Sequence, residues 1–315
     1  MTKRFAVYSA LVGDYDEIQQ PVVVDARFDY ILFCNKIEKK QVGVWQIRQL
    51  PYSNSTPTPT LICRYIKTHT EELLTGYAAS LWIDSNIQIV QPMVYDRFME
   101  LYESGVPVAS MQHPDRNCIY DEMVSVAAIQ LETEQTILQW GKMLRHERYP
   151  RNNGLFETSV FYRRHTQQVA IMNALWWQCI DKYSKRDQLS CNYVLWKLQI
   201  QSELFLPENQ CARNAECFRY YEHKHKTGRY IANTGKETRL FRMAVNADAV
   251  HNYDTLHYIS HLYYIVYAAF FQHYVANLLS VYLVIRLGMC QQVRRVMYGI
   301  NRIVQYSKSA KQRYK

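Results

Sequence analysis

Ser80-Leu81-Trp82-Ile83-Asp84-Ser85-Asn86-Ile87-Gln88-Ile89 is the stretch around which the chain is organised. Its apolar run reads as a buried strand that ends on an acid and an amide two residues apart. Successive strand residues face opposite ways, so positions i and i+2 point together. Asp84 and Asn86 therefore offer two oxygens to one point at a sheet edge. A hard divalent cation, Mn²⁺ or Mg²⁺, takes such oxygens and completes its shell with water and substrate phosphate. The plain alternative is a turn capped by Asp and Asn after a strand. The D-x-N spacing is too common to choose between them.

Upstream, Arg4 to Val12 reads as a buried first strand closed by Gly13-Asp14-Tyr15-Asp16. A Gly-Asp turn after a first strand is where open α/β sheets place ligand-binding loops, which makes Gly13 and Asp14 candidates for substrate contact. Asp29 to Cys34 and Val44 to Leu50 read as further strands, and Pro51 to Thr60 as a loop by composition. Ile62 to Leu74 has helical periodicity. Arg64 and Lys67, at i and i+3, share a face there and offer two cations to a diphosphate, or form an ordinary solvated face.

Downstream, Pro92 to Ser104 is helical by its apolar stripe and Val106 to Met111 is a strand. That strand runs into His113-Pro114-Asp115-Arg116-Asn117-Cys118-Ile119-Tyr120-Asp121-Glu122, a cluster rich in possible ligands. One long helix is expected from Met123 to about Leu144. A strand over Thr158 to Arg163 follows Gly154-Leu155-Phe156-Glu157, and Thr166 to Lys182 is helical. The next helix runs through Leu198, with Ser184 as its expected N-cap and Asp187 in its first turn. A capping acid is one reading of Asp187; a chemical role is the other. His223 and His225 alternate as on an extended segment and supply either a metal ligand or two surface histidines.

Strand–helix alternation to about residue 205 predicts an α/β domain with a mostly parallel central sheet flanked by helices. No internal repeat, GxGxxG, GxxxxGK[ST] or Gly-x-Ser-x-Gly element is present. Eight cysteines lack CxxC spacing, and the N-terminus enters a strand without an apolar leader. Both features fit reduced thiols in a cytoplasmic protein.

The charge of +9 is unevenly placed over the 315 residues. No acid follows Asp254, whereas eight of the 37 basic residues do. The body is close to neutral, which argues against a nucleic-acid binder. Residues 255–285 contain no Lys, Arg, Asp or Glu but are interrupted by His257, His261, Gln272, His273 and Asn277. That pattern predicts C-terminal amphipathic helices lying in a membrane interface, with the basic end facing anionic lipid at roughly 1 kcal/mol per residue. An oligomer contact or a true span are the alternatives. The expected division is a domain over 1–250 and a tail over 251–315.

Six stretches, taken in order, carry a resemblance. They are Val7 to Asp16, Arg64-Tyr65-Ile66-Lys67, Ser80 to Ile87, His113 to Glu122, Gly154-Leu155-Phe156-Glu157 and Arg186-Asp187-Gln188-Leu189-Ser190. Over about residues 4 to 225 the chain resembles the glycosyltransferase-like family shared by bacterial polysaccharide clusters and plant mucilage or turgor proteins. The resemblance implies a GT-A-like fold, a nucleotide-sugar donor and a divalent metal. Where the wider GT-A class has Asp-x-Asp, this chain has Asn86, so one negative charge is missing.

The expected activity is transfer of a sugar from a nucleoside diphosphate to a lipid-linked or polysaccharide acceptor at the inner membrane face. Asp84 and Asn86, with His223 as a third ligand, would hold the metal. Arg64 and Lys67 would neutralise the leaving diphosphate, and Gly13 and Asp14 would lie near the nucleotide. Asp187 is the first candidate for general base and Glu157 the second. His113, Arg116 and Asp121 would line the sugar pocket, and Gln188 would contact substrate. Two other classes stay open: a membrane-associated hydrolase using the same carboxylates on water, and a non-catalytic assembly protein of a polysaccharide machine.

Overall fold

In the computed structural model, residues 4–13, 16–35, 37–51, 58–128 and 131–223 are described. Asp14, His225 and the expected tail over 251–315 lie outside the described residues.

The order is β1 (Arg4–Leu11), β2 (Phe28–Cys34), β3 (Gln41–Val42), β4 (Trp45–Arg48), α1 (Pro59–Thr68), α2 (Thr70–Leu73) and β5 (Tyr77–Ile83). Then follow β6 (Ile87–Ile89), α3 (Met93–Glu103), β7 (Val108–Gln112), α4 (Ile119–Ala128), α5 (Glu134–His146) and β8 (Phe156–Arg164). The last elements are α6 (Gln167–Lys182), α7 (Gln188–Lys197), β9 (Ser202–Leu204) and β10 (Phe218–Tyr220).

Eight strands form one sheet in the order β3-β4-β2-β1-β5-β8-β7-β9. Strands β4, β2, β1 and β5 are parallel, as the strand–helix alternation predicts. Strand β8 is inserted antiparallel between β5 and β7, so the sheet is mixed. A separate antiparallel pair, β6 with β10, stands beside it. The α/β class with a central sheet flanked by helices is the one expected.

Both sheet faces are covered. On one, Phe98 of α3 packs its ring edge-on to Phe5, Phe28 and Tyr162 at 4.8–5.2 Å between centroids. A buried phenylalanine of this kind is worth about 3–5 kcal/mol against alanine. On the other face, Tyr8 meets Trp82 edge-on at 5.1 Å, and its hydroxyl donates to the Lys67 carbonyl of α1. Helices α6 and α7 pack on that same layer.

Three local expectations need correction. The single helix over 123–144 is two helices, because Thr133 begins a new one by accepting from the Thr136 amide. Helix α1 starts earlier than Ile62, since Thr58 caps it and Pro59 suits the first turn; it stops at Thr68, and α2 is a separate turn. Ser184 does not cap α7. Its hydroxyl accepts from the Arg186 amide and donates to Glu132, while Asp187 occupies the cap position without a side-chain cap bond. No helix among the described residues is long and apolar enough to cross a membrane.

Candidate active site

Parallel pairing of β1 with β5 sets their C-terminal ends side by side. The start of β8 comes to the same edge because it runs the other way. A cleft of about 250 Å³ opens there, lined by the end of β1, Asp84 to Ile87, Glu157 to Ser159, the start of α7 and the exposed side of α1. Ligand crevices of α/β sheets form at such carboxyl ends.

Asp84 and Asn86 both line this cleft. The Trp82 indole donates to Asp84 Oδ1 at 2.7 Å and so fixes the carboxylate. The Asn86 amide donates to the Tyr221 carbonyl at 2.8 Å, and the Tyr221 amide donates back to the Asn86 carbonyl. The β6–β10 pair therefore clamps the turn. Carboxylate and carboxamide oxygens suit Mg²⁺ or Mn²⁺, so the donor set fits an ion that arrives with phosphate ligands of its own. Among the described residues no group of three or more His, Cys, Asp or Glu could hold a metal by itself.

His223 lines the cleft, but its Nδ1 lies 2.9 Å from Asp16 Oδ1. That bond raises its pKa, which favours the protonated ring over the neutral form that ligates metals. Asp16, not one of the expected residues, lines the cleft and accepts from Ser85 Oγ at 2.9 Å. Gly13 makes the preceding turn at φ +75°, a backbone region closed to most side chains, and is not among the lining residues.

Asp187 is the centre of a buried ion cluster. Its Oδ1 is 2.9 Å from Arg64 Nε, and its Oδ2 takes Lys67 Nζ at 2.6 Å and the Thr158 hydroxyl at 2.8 Å. Burial pushes its pKa up, yet Arg64, Lys67 and these hydrogen bonds outweigh it and hold the carboxyl well below the ordinary carboxylate range. Such a group is a poor proton acceptor, which overturns the expectation that Asp187 is the base. Lys67 is likewise corrected: its ammonium is 1% exposed and bonds Asp187 and the Thr158 carbonyl instead of facing the cleft.

Glu157 is the contrasting acid. Gly154, at φ +81°, and Asn192, whose Oδ1 accepts from the Phe156 amide, launch β8 and bring Glu157 to the cleft. Burial raises its pKa, against weaker lowering by Arg213 and by hydrogen bonds from Cys211 and Ser159. Its Oε1 accepts from Ser159 Oγ at 3.2 Å, and its Oε2 is buried with no partner.

Residues 1–223 match the TOD1/MUCI70, glycosyltransferase-like domain family. The chain belongs to that family. No protein with a curated description matches it. Solved structures of glucosyl-3-phosphoglycerate synthase from Mycobacterium tuberculosis are similar at low level. The complex with phosphoglyceric acid has a TM-score of 0.32 and 9% identity, over 79% of each chain. The complex with Mn²⁺, UDP-glucose and phosphoglyceric acid has a TM-score of 0.33 and 9% identity over the same shares.

Within this glycosyltransferase-like domain, Gln188 lines the cleft from the first turn of α7. His113, Arg116 and Asp121 do not line it. Arg116 Nε bonds Glu122, His113 Nε2 is 3.6 Å from the same Glu122 oxygen, and Asp121 pairs at the surface with Arg151. Placing these three in the sugar pocket is corrected, because carboxylates and a neighbouring arginine already engage them. Sequence reasoning missed Arg186, Arg213 and Asp16. Arg186 and Asp16 sit inside stretches already singled out, whereas nothing around Arg213 marks it.

Proposed function

We propose that the cleft binds a nucleoside-diphosphate sugar and transfers the sugar to a hydroxyl of a lipid-linked or polysaccharide acceptor. The observation that supports this best is one cleft holding Asp84, Asn86, Arg64 and Arg186 on one hand and a buried carboxyl of raised pKa, Glu157, on the other. An enzyme that uses a carboxylate as base at neutral pH needs that upward shift. The acceptor oxygen forms a bond to the anomeric carbon and the bond to the diphosphate oxygen breaks. The hydroxyl proton passes to Glu157, and the nucleoside diphosphate leaves. Arg64 and Arg186 meet the charge that grows on the leaving group. A divalent ion at Asp84 and Asn86, when bound, supplies Lewis-acid stabilisation of that same charge. The acid-free segment after Asp254 would hold the domain at the inner membrane face, close to a lipid-linked acceptor.

The test is release of free nucleoside diphosphate by the full chain, across a panel of nucleotide sugars with Mn²⁺ or Mg²⁺ and membrane extract. Release from one donor, dependent on the extract and lost in Glu157→Gln, is the expected result. Silence across the panel would sink the proposal. Undiminished release without extract, with free sugar as product, would make water the acceptor and the protein a hydrolase.

A further inference from the structure

We propose that this cleft binds a nucleoside diphosphate without a divalent ion, with the Arg64 and Arg186 guanidiniums as the counter-charge. This rests on the nucleotide-sugar reading above and concerns how that site holds the donor.

Arg186 lines the cleft with its Nε buried and without a hydrogen-bond partner. Burial and the neighbouring Arg64 guanidinium both weigh against its charge and lower its pKa. A buried cation beside a second cation is unfavourable unless an anion completes the arrangement. Asp187 has Arg64 at Oδ1 and Lys67 and Thr158 at Oδ2, so its charge, with that of Glu122 and Asp84, offsets only part of the cost of keeping Arg186 ionised. Arg64 lines the same cleft, its Nε paired by charge with Asp187 Oδ1 at 2.9 Å but, like Arg186 Nε, without a directed hydrogen bond. The ten-residue helix α7 begins at this point and adds the partial positive charge of its N-terminus.

An ion settling at Asp84 and Asn86 without phosphate ligands of its own is correspondingly disfavoured. Asp84 lies within electrostatic reach of Arg64, Lys67, Arg186 and His223. A divalent cation settling there would find one carboxylate, already bonded to Trp82, and one carboxamide, with Arg186 nearby and Arg64, Lys67 and His223 already paired with Asp187 or Asp16. Asp187 answers Arg64 and Lys67, which leaves Arg186 as the cation beside Asp84 with no bonded carboxylate among the described residues. Asp16 is engaged with His223 and Ser85, and Glu157 with Ser159 and, at 3.8 Å, Arg213. A diphosphate would bring its charge to the Arg186 guanidinium, whose Nε has no hydrogen-bond partner.

Binding of UDP, GDP, ADP, CDP and TDP to the full chain, by calorimetry in excess EDTA and again with Mn²⁺ or Mg²⁺, tests this. At least one should bind in EDTA within about tenfold of its affinity with the ion. Arg186→Gln should weaken that EDTA binding roughly 10- to 100-fold, the range for losing a charged hydrogen bond. Its unliganded melting temperature should stay level or rise, because an unpaired buried cation has been removed. Binding that needs the ion would overturn this inference and leave the nucleotide-sugar reading intact. No binding under either condition would overturn that reading as well. A lowered melting temperature with unchanged affinity would make Arg186 a structural group and end the proposal.

Discussion

Asp187 and Glu157 are both nearly out of solvent and both line the cleft, yet their environments push them in opposite directions. The difference is not burial, which disfavours the charge on each. It is the partners: Asp187 has two cations and a hydroxyl, whereas Glu157 has one hydroxyl, a weak thiol and an arginine Nη2 at 3.8 Å. Strand β8 arranges this split, since successive residues face opposite ways. Thr158 reaches Asp187 and Glu157 does not. One acid thus holds the cleft's cations in place, and the other is left free for a proton.

The largest effect expected is on folding. Asp187→Ala leaves Arg64 and Lys67 without their shared carboxylate and should cost about 3–5 kcal/mol. Urea denaturation measures it, and a loss below about 1 kcal/mol would break the contrast. Next comes activity. Glu157→Gln should slow turnover by roughly 100-fold or more, the usual weight of a positioned base, while its stability holds or improves. If instead it unfolds, Glu157 belongs with Asp187 as a structural acid.

Titration sharpens the comparison. Glu157 is raised above its ordinary 4.5, so its contribution to stability is whole below that value and is lost as pH rises through the native pKa. Asp187 is lowered from 3.8, so its contribution is whole above that value and fades as pH falls below it. Melting curves should therefore show Glu157→Gln gaining on the parent chain above about pH 4.5, and the parent losing its advantage over Asp187→Asn only in stronger acid. The smallest effect is at Asp121, half-exposed and 3.4 Å from Arg151. Asp121→Ala should change stability by less than about 0.5 kcal/mol and leave nucleotide affinity alone. A large loss of affinity there would return the cluster after β7 to the site.

Much of the frame was legible because it is local. The apolar runs of β1, β2 and β5 announce buried strands, and the i, i+2 spacing of Asp84 and Asn86 predicts a shared cleft, which they have. Strand β8 was legible as a strand but not as an antiparallel insertion, since alternation carries no sign of direction. The ion cluster around Asp187 was not legible because its partner Lys67 lies 120 positions away. The break before Thr133 was hidden by helical periodicity on both sides of it.

The clamp of β10 on β6 also limits how this enzyme candidate can be cut. Phe218 to His223 hold Asn86 and Asp16 from the C-terminal side, through backbone pairing and the Tyr221 and His223 contacts. A shortened version for crystallisation that stops before Phe218 would keep the whole eight-stranded sheet and still lose the wall beside Asp84. Any excised catalytic fragment has to run past His223.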